Sequence, residues 1–324
     1  MTTRQYEVFG GTLRSELPIE DLPDSAPGTP DWTLRVVDVA SITMDGVPLG
    51  SDVVFGDTLV RGFRRADGFG LVFDDTGRFD VSADGAVITW HRPPNAAMDS
   101  VQADITSRVL ALALHASGVF TLHASAVSID GAGVAFVAPK HHGKSTLCSA
   151  LVLAGARALS DDTVPVRPGQ VPHLSPGLPR LRLWSDAAAR LFGRDREADG
   201  PMRKHLMDQL DESRIERRDV PFRAAYVLNP VAELPDGAPA RRDRLDTVPA
   251  TMALVMHAKL GSVLTGIESP VVLSRAADIA GLVPVYVLHI VRDLTVIDDV
   301  AKMLFDWHAP GSDVASAGRQ GRDQ

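Results

Sequence analysis

The feature that most constrains this chain is the stretch Gly133–Leu147, GVAFVAPKHHGKSTL, where a short apolar run gives way to a loop ending Gly143-Lys144-Ser145-Thr146. Gly133 to Val137 has the β-branched and aromatic make-up of a buried strand. Leu147, Ala150, Leu151 and Ala154 recur at helical spacing, and Gly155 stands where a C-terminal cap belongs. Strand, loop, helix is the order that a phosphate-binding loop of the form A/G-x-x-x-x-G-K-S/T requires, and it makes a nucleoside triphosphate the first ligand to consider.

The chemistry assigns a task to each position. Ala138, Pro139, Lys140, His141, His142, Gly143, Lys144, Ser145 and Thr146 form the expected nucleotide cradle, with backbone N–H groups and the positive end of the following helix facing the phosphates. Lys144 reaches the outer phosphates, Ser145 places its hydroxyl on Mg²⁺, and Gly143 lets the backbone come close. Ala138 replaces the first glycine of the strict form, so the loop must start with an ordinary dihedral or carry strain. His141 and His142 flank the nucleotide in this reading; a transition-metal role lacks further ligands nearby. Lys140 adds a weak electrostatic contact.

Arg157 to Ser160 reads as a strand that delivers Asp161 and Asp162 at its end. If it runs parallel to the first strand, both carboxylates arrive beside the loop, since ligands sit beyond the carboxyl ends of strands in an open α/β sheet. One would hold Mg²⁺ and the other accept the proton of an attacking hydroxyl. Neighbouring strand residues face opposite sides, so both act only if the strand ends there, which Pro165 favours. The alternative is a solvated Asp-Asp turn. Upstream, Thr121 to Ile129 reads as one strand, joined by the hairpin signal Asp130-Gly131 to the strand entering the loop. His123 lies off its apolar face, and a structural histidine and a functional one are equally open there.

The string LHASAVSIDGAGVAFVAPKHHGKSTLCSALVLAGARALSDDTVPV resembles the catalytic core of the HPr kinase/phosphorylase family: a histidine in a strand, a hairpin, a phosphate loop, a helix ending in glycine and an Asp-Asp pair. The resemblance implies an α/β fold with a P-loop kinase core of the HPr kinase / phosphoenolpyruvate carboxykinase type; short alternating stretches such as Thr33 to Val39 and Leu71 to Phe73, punctuated by turn signals, put a small β-rich N-terminal domain before it. It implies ATP and Mg²⁺ as cofactors and His123 as the active-site histidine. Lys144 and Ser145 would bind phosphate and metal. The expected division gives Asp161 the catalytic carboxylate and Asp162, with Ser145, the magnesium. Thr146 stands where true HPr kinases carry an acidic residue tied to the phosphorylase reaction, and Glu212 to Arg218 is only a charged run where they have a later Arg-Gly-rich signature. A kinase without efficient phosphorylase activity is therefore expected. Tyr6 to Pro18 and Pro179 to Trp184 are similar to HPr-kinase-like proteins encoded with ribosomally made peptides, among them the lasso-peptide kinases, which implies a serine in a peptide or protein as acceptor. A small-molecule kinase and a non-catalytic nucleotide-binding regulator are the rival readings.

Composition narrows the partners. A net charge of -8 over 324 residues leaves no basic stripe for general nucleic-acid binding. No apolar stretch is long enough to span a bilayer and the beginning is not a signal peptide, so a cytoplasmic protein without a membrane partner is expected. Homo-oligomerisation is left open. The sole cysteine, Cys148, excludes an internal disulfide and reads as a small buried residue within reach of thiol reagents. The expected organisation is a β-rich unit over 1–100, a kinase unit over 101–308, and a disordered tail over 309–324. Within it, Leu22 to Pro30 is a Pro-rich loop, Val101 to Ala116 a helix buried through Val101, Ile105, Val109, Leu110 and Leu112, and Ser185 to Phe192 a helix capped by Ser185. Ala224 to Leu228 and Val283 to Leu288 are core strands, and Leu294 to Trp307 a closing helix. Arg180, Arg182 and the run Arg203-Lys204-His205 could meet a phosphate or an acidic substrate, or simply be solvated; Trp184 and Phe192 are expected in the core.

Overall fold

The computed structural model describes residues 3–20, 22–54, 57–178, 181–192, 204–207 and 211–309, which form a mixed α/β structure with two mixed sheets. The first sheet contains β1 (Arg4–Val8), β2 (Gly11–Ser15), β3 (Trp32–Asp38), β4 (Val47–Val53), β5 (Leu59–Arg65), β6 (Gly68–Phe73), β7 (Gly77–Ser82) and β8 (Val87–Arg92), in the order β1-β2-β3-β8-β7-β6-β5-β4. Only the β2–β3 and β3–β8 steps are parallel. Alternation turns Leu13, Leu34, Leu71, Phe79, Ile88 and Trp90 inward, all fully buried.

Against this sheet lies the helical stretch α1 (Met98–Asp104), a π-helical turn at Ile105–Val109, and α2 (Leu110–Ala116). The five residues of the expected stripe are buried, and so are Ala111, Ala113 and Leu114. A helix apolar almost all round belongs in an interior. This one lies between the two sheets, and its apolar side chains merge with residues of both into one core.

The second sheet contains β9 (Phe120–Leu122), β10 (Ala124–Ile129), β11 (Ala132–Val137), β12 (Arg157–Asp161), β13 (Val164–Arg167), β14 (His173–Leu174), β17 (Val220–Val231), β18 (Ala240–Arg244) and β19 (Val285–Val291). Short strands β15 (Leu181–Trp184) and β16 (Lys204–Met207) pair separately. Its helices are α3 (Lys144–Leu153), α4 (Ser185–Phe192), α5 (Thr247–Met256), α6 (Ser269–Leu282) and α7 (Ile297–His308). β10 pairs antiparallel with both β11 and β12, so β11 and β12 run the same way and finish at one end of the sheet. Side-chain alternation then splits the strands between two cores. Val134 and Phe136 of β11 face α3 and α7, whereas Ala135 and Val137 face the core shared with the first sheet, α5 and α6.

Two expectations change, and two helices are added. The Thr121–Ile129 run is not one strand: it breaks at His123 into β9 and β10, because β9 turns away to pair with β13 while β10 pairs with β11 and β12. The strand does end at the aspartates as expected, but Pro165 is not the cause, since it lies inside β13. The break comes earlier, at Asp162, whose φ of 79° is left-handed. Helices α5 and α6 had no clear sequence signature, and α5 explains why: Val248, Met252 and Met256 are exposed, which blurs its apolar stripe. Arg180, Arg203 and residues 310–324 lie outside the described residues, as do the side chains of Arg182, Trp184, Phe192, Lys204 and His205.

The first sheet is seated closely against the segment after α5. A Cβ on Gly62 would lie 2.5 Å from Val263 Cγ1 and 2.8 Å from its carbonyl oxygen, and one on Gly50 would meet Thr265 Oγ1 at 2.9 Å. Only glycine permits that approach. It brings the end of β4, with Asp52, to the end of the second sheet where β11 and β12 finish.

Candidate active site

The loop between β11 and α3 has the local geometry that its small residues allow. Ala138 is fully buried and keeps a negative φ, so its Cβ causes no strain. The left-handed residues are His141, with φ 69°, and Gly143, with φ 86°. A Cβ at Gly143 would touch nothing, so glycine is needed there for its dihedral and for close approach of a ligand. Lys144 Nζ donates to Ala138 O at 2.8 Å and approaches Pro139 O at 3.4 Å, folding over the loop. His142 Nδ1 lies 2.9 Å from Lys140 O, which braces the turn. Pro139, Lys140 and His141 are exposed, while Ser145 and Thr146 begin α3 half-buried.

α3 ends as its sequence dictates. Gly155 takes φ 120°, and N–H groups of Ala154, Gly155 and Ala156 return to carbonyls of the last turn. The chain reverses into β12, which carries Asp161 to Ser145: Ser145 Oγ donates to Asp161 Oδ1 and Oδ2 at 3.1 and 3.2 Å. Ser125 of β10 donates to Asp161 Oδ1 at 2.5 Å.

Asp162 goes elsewhere. Its left-handed backbone swings the carboxylate away from Ser145 toward His123 Nδ1 at 3.2 Å and Lys259 Nζ at 2.6 Å, and Ser107 Oγ donates to it at 3.0 Å. The expectation paired Ser145 with Asp162 on magnesium; here the carboxylate hydrogen-bonded to Ser145 is Asp161, and Asp162 meets the histidine. The cause is the strand-end reversal, which separates side chains that a regular strand would also have sent to opposite faces.

His123 sits at the β9–β10 break, one residue before the Ala124–Val137 pair and so level with the start of the loop. Its N–H donates to His257 O at 2.8 Å, and the N–H of Lys259 donates to Thr121 O at 2.8 Å, so the 257–259 segment clamps the histidine from the far side. Lys259 is only 3% exposed. Burial pushes its ammonium pKa down and Asp162 pulls it back up. Burial also works against the Asp162 anion, but Lys259 and His123 more than offset it and hold the carboxyl well below the ordinary carboxylate value, although 44% of the side chain is open to the cleft. His257 is pushed down to about 4 by burial, with Lys144 and His123 adding to the effect, so its imidazole is neutral at pH 7. Cys148 is fully buried, as expected; burial raises its thiol and nearby Asp161 raises it further, which opposes the sensitivity to thiol reagents also considered.

Two clefts flank the loop. One, of about 560 Å³, is lined by Asp52, Ser107, Arg108, His123, Lys140, Asp162, His257 and Lys259. The other, of about 530 Å³, lies across His141, His142, Gly143 and Thr146, and its wall is mainly apolar: Leu228, Pro230, Ile290, Val291, Leu294 and Ile297. The structure thus brings together Ala138, Lys144, Ser145, Asp161, Asp162 and His123. It adds Ser107, Arg108, Ser125, His257 and Lys259, which the sequence reading missed. The one available signal was a lone lysine in the apolar run Met252 to Leu264.

Among solved structures, the HPr(Ser) kinase/phosphatase from Coxiella burnetii aligns with 57% of this chain and 94% of its own, at 13% identity and a TM-score of 0.33. No protein-family model and no curated protein matches the sequence. Among the described residues no helix is long and apolar enough to cross a membrane.

Proposed function

We propose that this chain is an ATP- and Mg²⁺-dependent kinase with a P-loop core, which transfers the γ-phosphoryl group to a hydroxyl, a serine of a peptide or protein, in the cytoplasm. The observation that carries the reading is the division of the two adjacent carboxylates. Asp161 serves the hydroxyl at the start of α3, and Asp162 serves a histidine and a buried lysine at the head of the charged cleft. Two adjacent carboxylates with separate partners beside a phosphate loop suit a division between metal and acceptor hydroxyl.

Ser145 and Asp161 fit a magnesium ion: both offer hard oxygen donors, 3.1 Å apart, and this ion keeps most of its remaining sites for water and phosphate. When bound, it neutralises charge on the phosphates. The chain's own groups do the rest. Lys144 exchanges its contacts with Ala138 O and Pro139 O for phosphate oxygens, and the first N–H groups of α3 face the same anion. Asp162, held ionised, orients the acceptor hydroxyl. His123 and Ser107 fix that carboxylate, and Lys259 keeps it charged. As the bond from phosphorus to the departing ADP oxygen breaks, the electron pair stays on ADP, the hydroxyl oxygen bonds to phosphorus, and its proton passes to Asp162. A weak base suffices because such transfers pass through a loose transition state. The apolar cleft across Gly143 and Thr146 is suited to the base of the nucleotide. With Thr146 rather than a carboxylate on that side, the reading is a kinase without efficient phosphorolysis.

Transfer from γ-labelled ATP to serine-containing peptides tests this. Label should reach a peptide in the presence of Mg²⁺ and be lost with Lys144→Ala; equal labelling by that variant would refute the assignment.

A further inference from the structure

Arg108 is a residue that no step above uses. It lies in the π-helical turn, directly after Ser107, which holds Asp162. Short π-turns inside α-helices are uncommon and cluster at functional sites, because they redirect side chains that a regular helix would aim elsewhere. Here the turn presents Arg108 to the charged cleft together with Ala138, Pro139 and Lys140 of the loop. Its side chain is 16% exposed, and Nη2 donates to Asp52 Oδ2 of the first sheet at 2.9 Å. Its Nε, by contrast, is buried and has no acceptor among the described residues. An unmatched buried donor is unfavourable by about 1–3 kcal/mol, so the site is built to receive an oxygen.

Electrostatics point the same way. Arg108 is near enough to Lys259 to help depress that buried ammonium, after burial itself and against the opposing pull of Asp162. Two cations thus share one wall, and the carboxylates facing them, Asp52 and Asp162, are already paired. An entering oxyanion would meet the exposed part of the guanidinium and relieve the repulsion between the cations. A planar guanidinium matches the oxygens of such a group in pairs.

Resting on the kinase reading above, we propose that Arg108 binds the oxygens of the transferring phosphoryl group, and that Asp52 of the first sheet holds it in place until that group arrives. The first sheet is then part of the site, through the close seating of Gly50 and Gly62 that brings Asp52 to the cleft.

The test uses the full chain with Arg108→Ala and Arg108→Lys. ATP hydrolysis to water and transfer to serine peptides, with and without a neighbouring carboxylate, should both lose kcat by roughly 100-fold or more in Arg108→Ala. Affinity for a fluorescent ATP analogue should stay within about threefold, since the loss is specific to the transition state. Guanidinium ion in solution should restore part of the rate to Arg108→Ala, whereas Arg108→Lys, with charge but no fork, should remain impaired; a purely structural role would show neither. A loss confined to KM for carboxylate-bearing peptides would assign the guanidinium to an acceptor carboxylate and overturn its assignment to the phosphoryl group. Unchanged rates in Arg108→Ala, on an active wild type, would overturn the proposal while leaving the kinase reading intact. If the wild type transferred phosphate to no acceptor, the kinase reading would fail instead. The anion site would then be judged with inorganic phosphate on protein saturated with ADP, which leaves the γ position vacant: binding lost in Arg108→Ala upholds it, and equal binding removes it.

Discussion

The two clefts beside the 138–143 loop have nearly the same volume, about 560 and 530 Å³, and opposite walls. On one side most charged groups are wired to a partner: Asp162 to His123, Lys259 and the Ser107 hydroxyl, and Arg108 to Asp52. On the other, aliphatic side chains from the ends of β17 and β19 and the start of α7 form most of the wall, with His141, His142, Arg292 and Asp293 at its margin. On the kinase reading proposed above, the charged cleft is the side for bond-making and the mainly apolar one the side for nucleotide affinity. The difference also shows what the first sheet contributes: only the charged cleft includes its residues.

Substitutions should separate the clefts by kinetic constant. The largest effect is expected from Asp162→Asn, which keeps the hydrogen-bonding shape but removes the charge and the proton acceptor. Phosphoryl transfer should fall about 10²- to 10⁴-fold in kcat with ATP binding unchanged, measured by steady-state kinetics and nucleotide titration. Because the Asp162 carboxyl titrates well below the ordinary range, it stays ionised throughout pH 5–9. Any loss of rate in the acid limb of that window must come from another group, and a pH–rate profile that followed a carboxyl near pH 5 would contradict its assignment. Next in size is Asp161→Asn, which should raise the Mg²⁺ concentration for half-maximal activity by at least about tenfold while leaving acceptor KM alone. Val291→Asp, in the apolar wall, should raise KM for ATP about tenfold and leave kcat at saturation unaltered, since a charge there opposes only binding.

The smallest effect concerns stability beneath the charged cleft. Asp104, one turn before Arg108, is raised to about 6 by burial; Asp75 adds to the rise, while the Thr76 hydroxyl and Arg108 pull against it. A carboxyl with a raised folded pKa is held at no penalty below the ordinary value near 4, and its penalty grows as pH climbs from about 4 to about 6. Asp104→Asn should therefore stabilise the protein at pH 8 by on the order of 1–3 kcal/mol, and by much less at pH 4.5, in urea unfolding followed by circular dichroism.

How much of this was legible in the sequence follows from how local each feature is. The strand, loop and α3 were readable because their signals lie within some twenty consecutive residues: an apolar run, a glycine with a required dihedral, a helical stripe and a capping glycine. His123 and the aspartates were readable as candidates because the hairpin and the β12 return are short. Which carboxylate serves Ser145 was not, since it depends on the left-handed φ of Asp162, a conformation that a non-glycine side chain adopts only when its surroundings enforce it. Ser107, Arg108 and, apart from its place as a lone lysine in an apolar run, Lys259 were hidden for another reason. They reach the cleft through a π-turn and through a segment almost a hundred residues beyond Asp162, and neither leaves a periodic trace. The core stripe of the 98–116 helix was legible; its polar interruption was not interpretable without the partner strand β4.

The central claim is that the charged cleft is where a hydroxyl takes a phosphoryl group. Its most direct measurement is transfer of label from γ-labelled ATP to serine-containing peptides by the wild type and by Asp162→Asn, in parallel with ATP binding. The account predicts labelled phosphoserine from the wild type, a loss of at least about 100-fold in the variant, and equal nucleotide affinity. Equal labelling by the two proteins, or tight ATP binding with no labelled acceptor from the wild type, would contradict it.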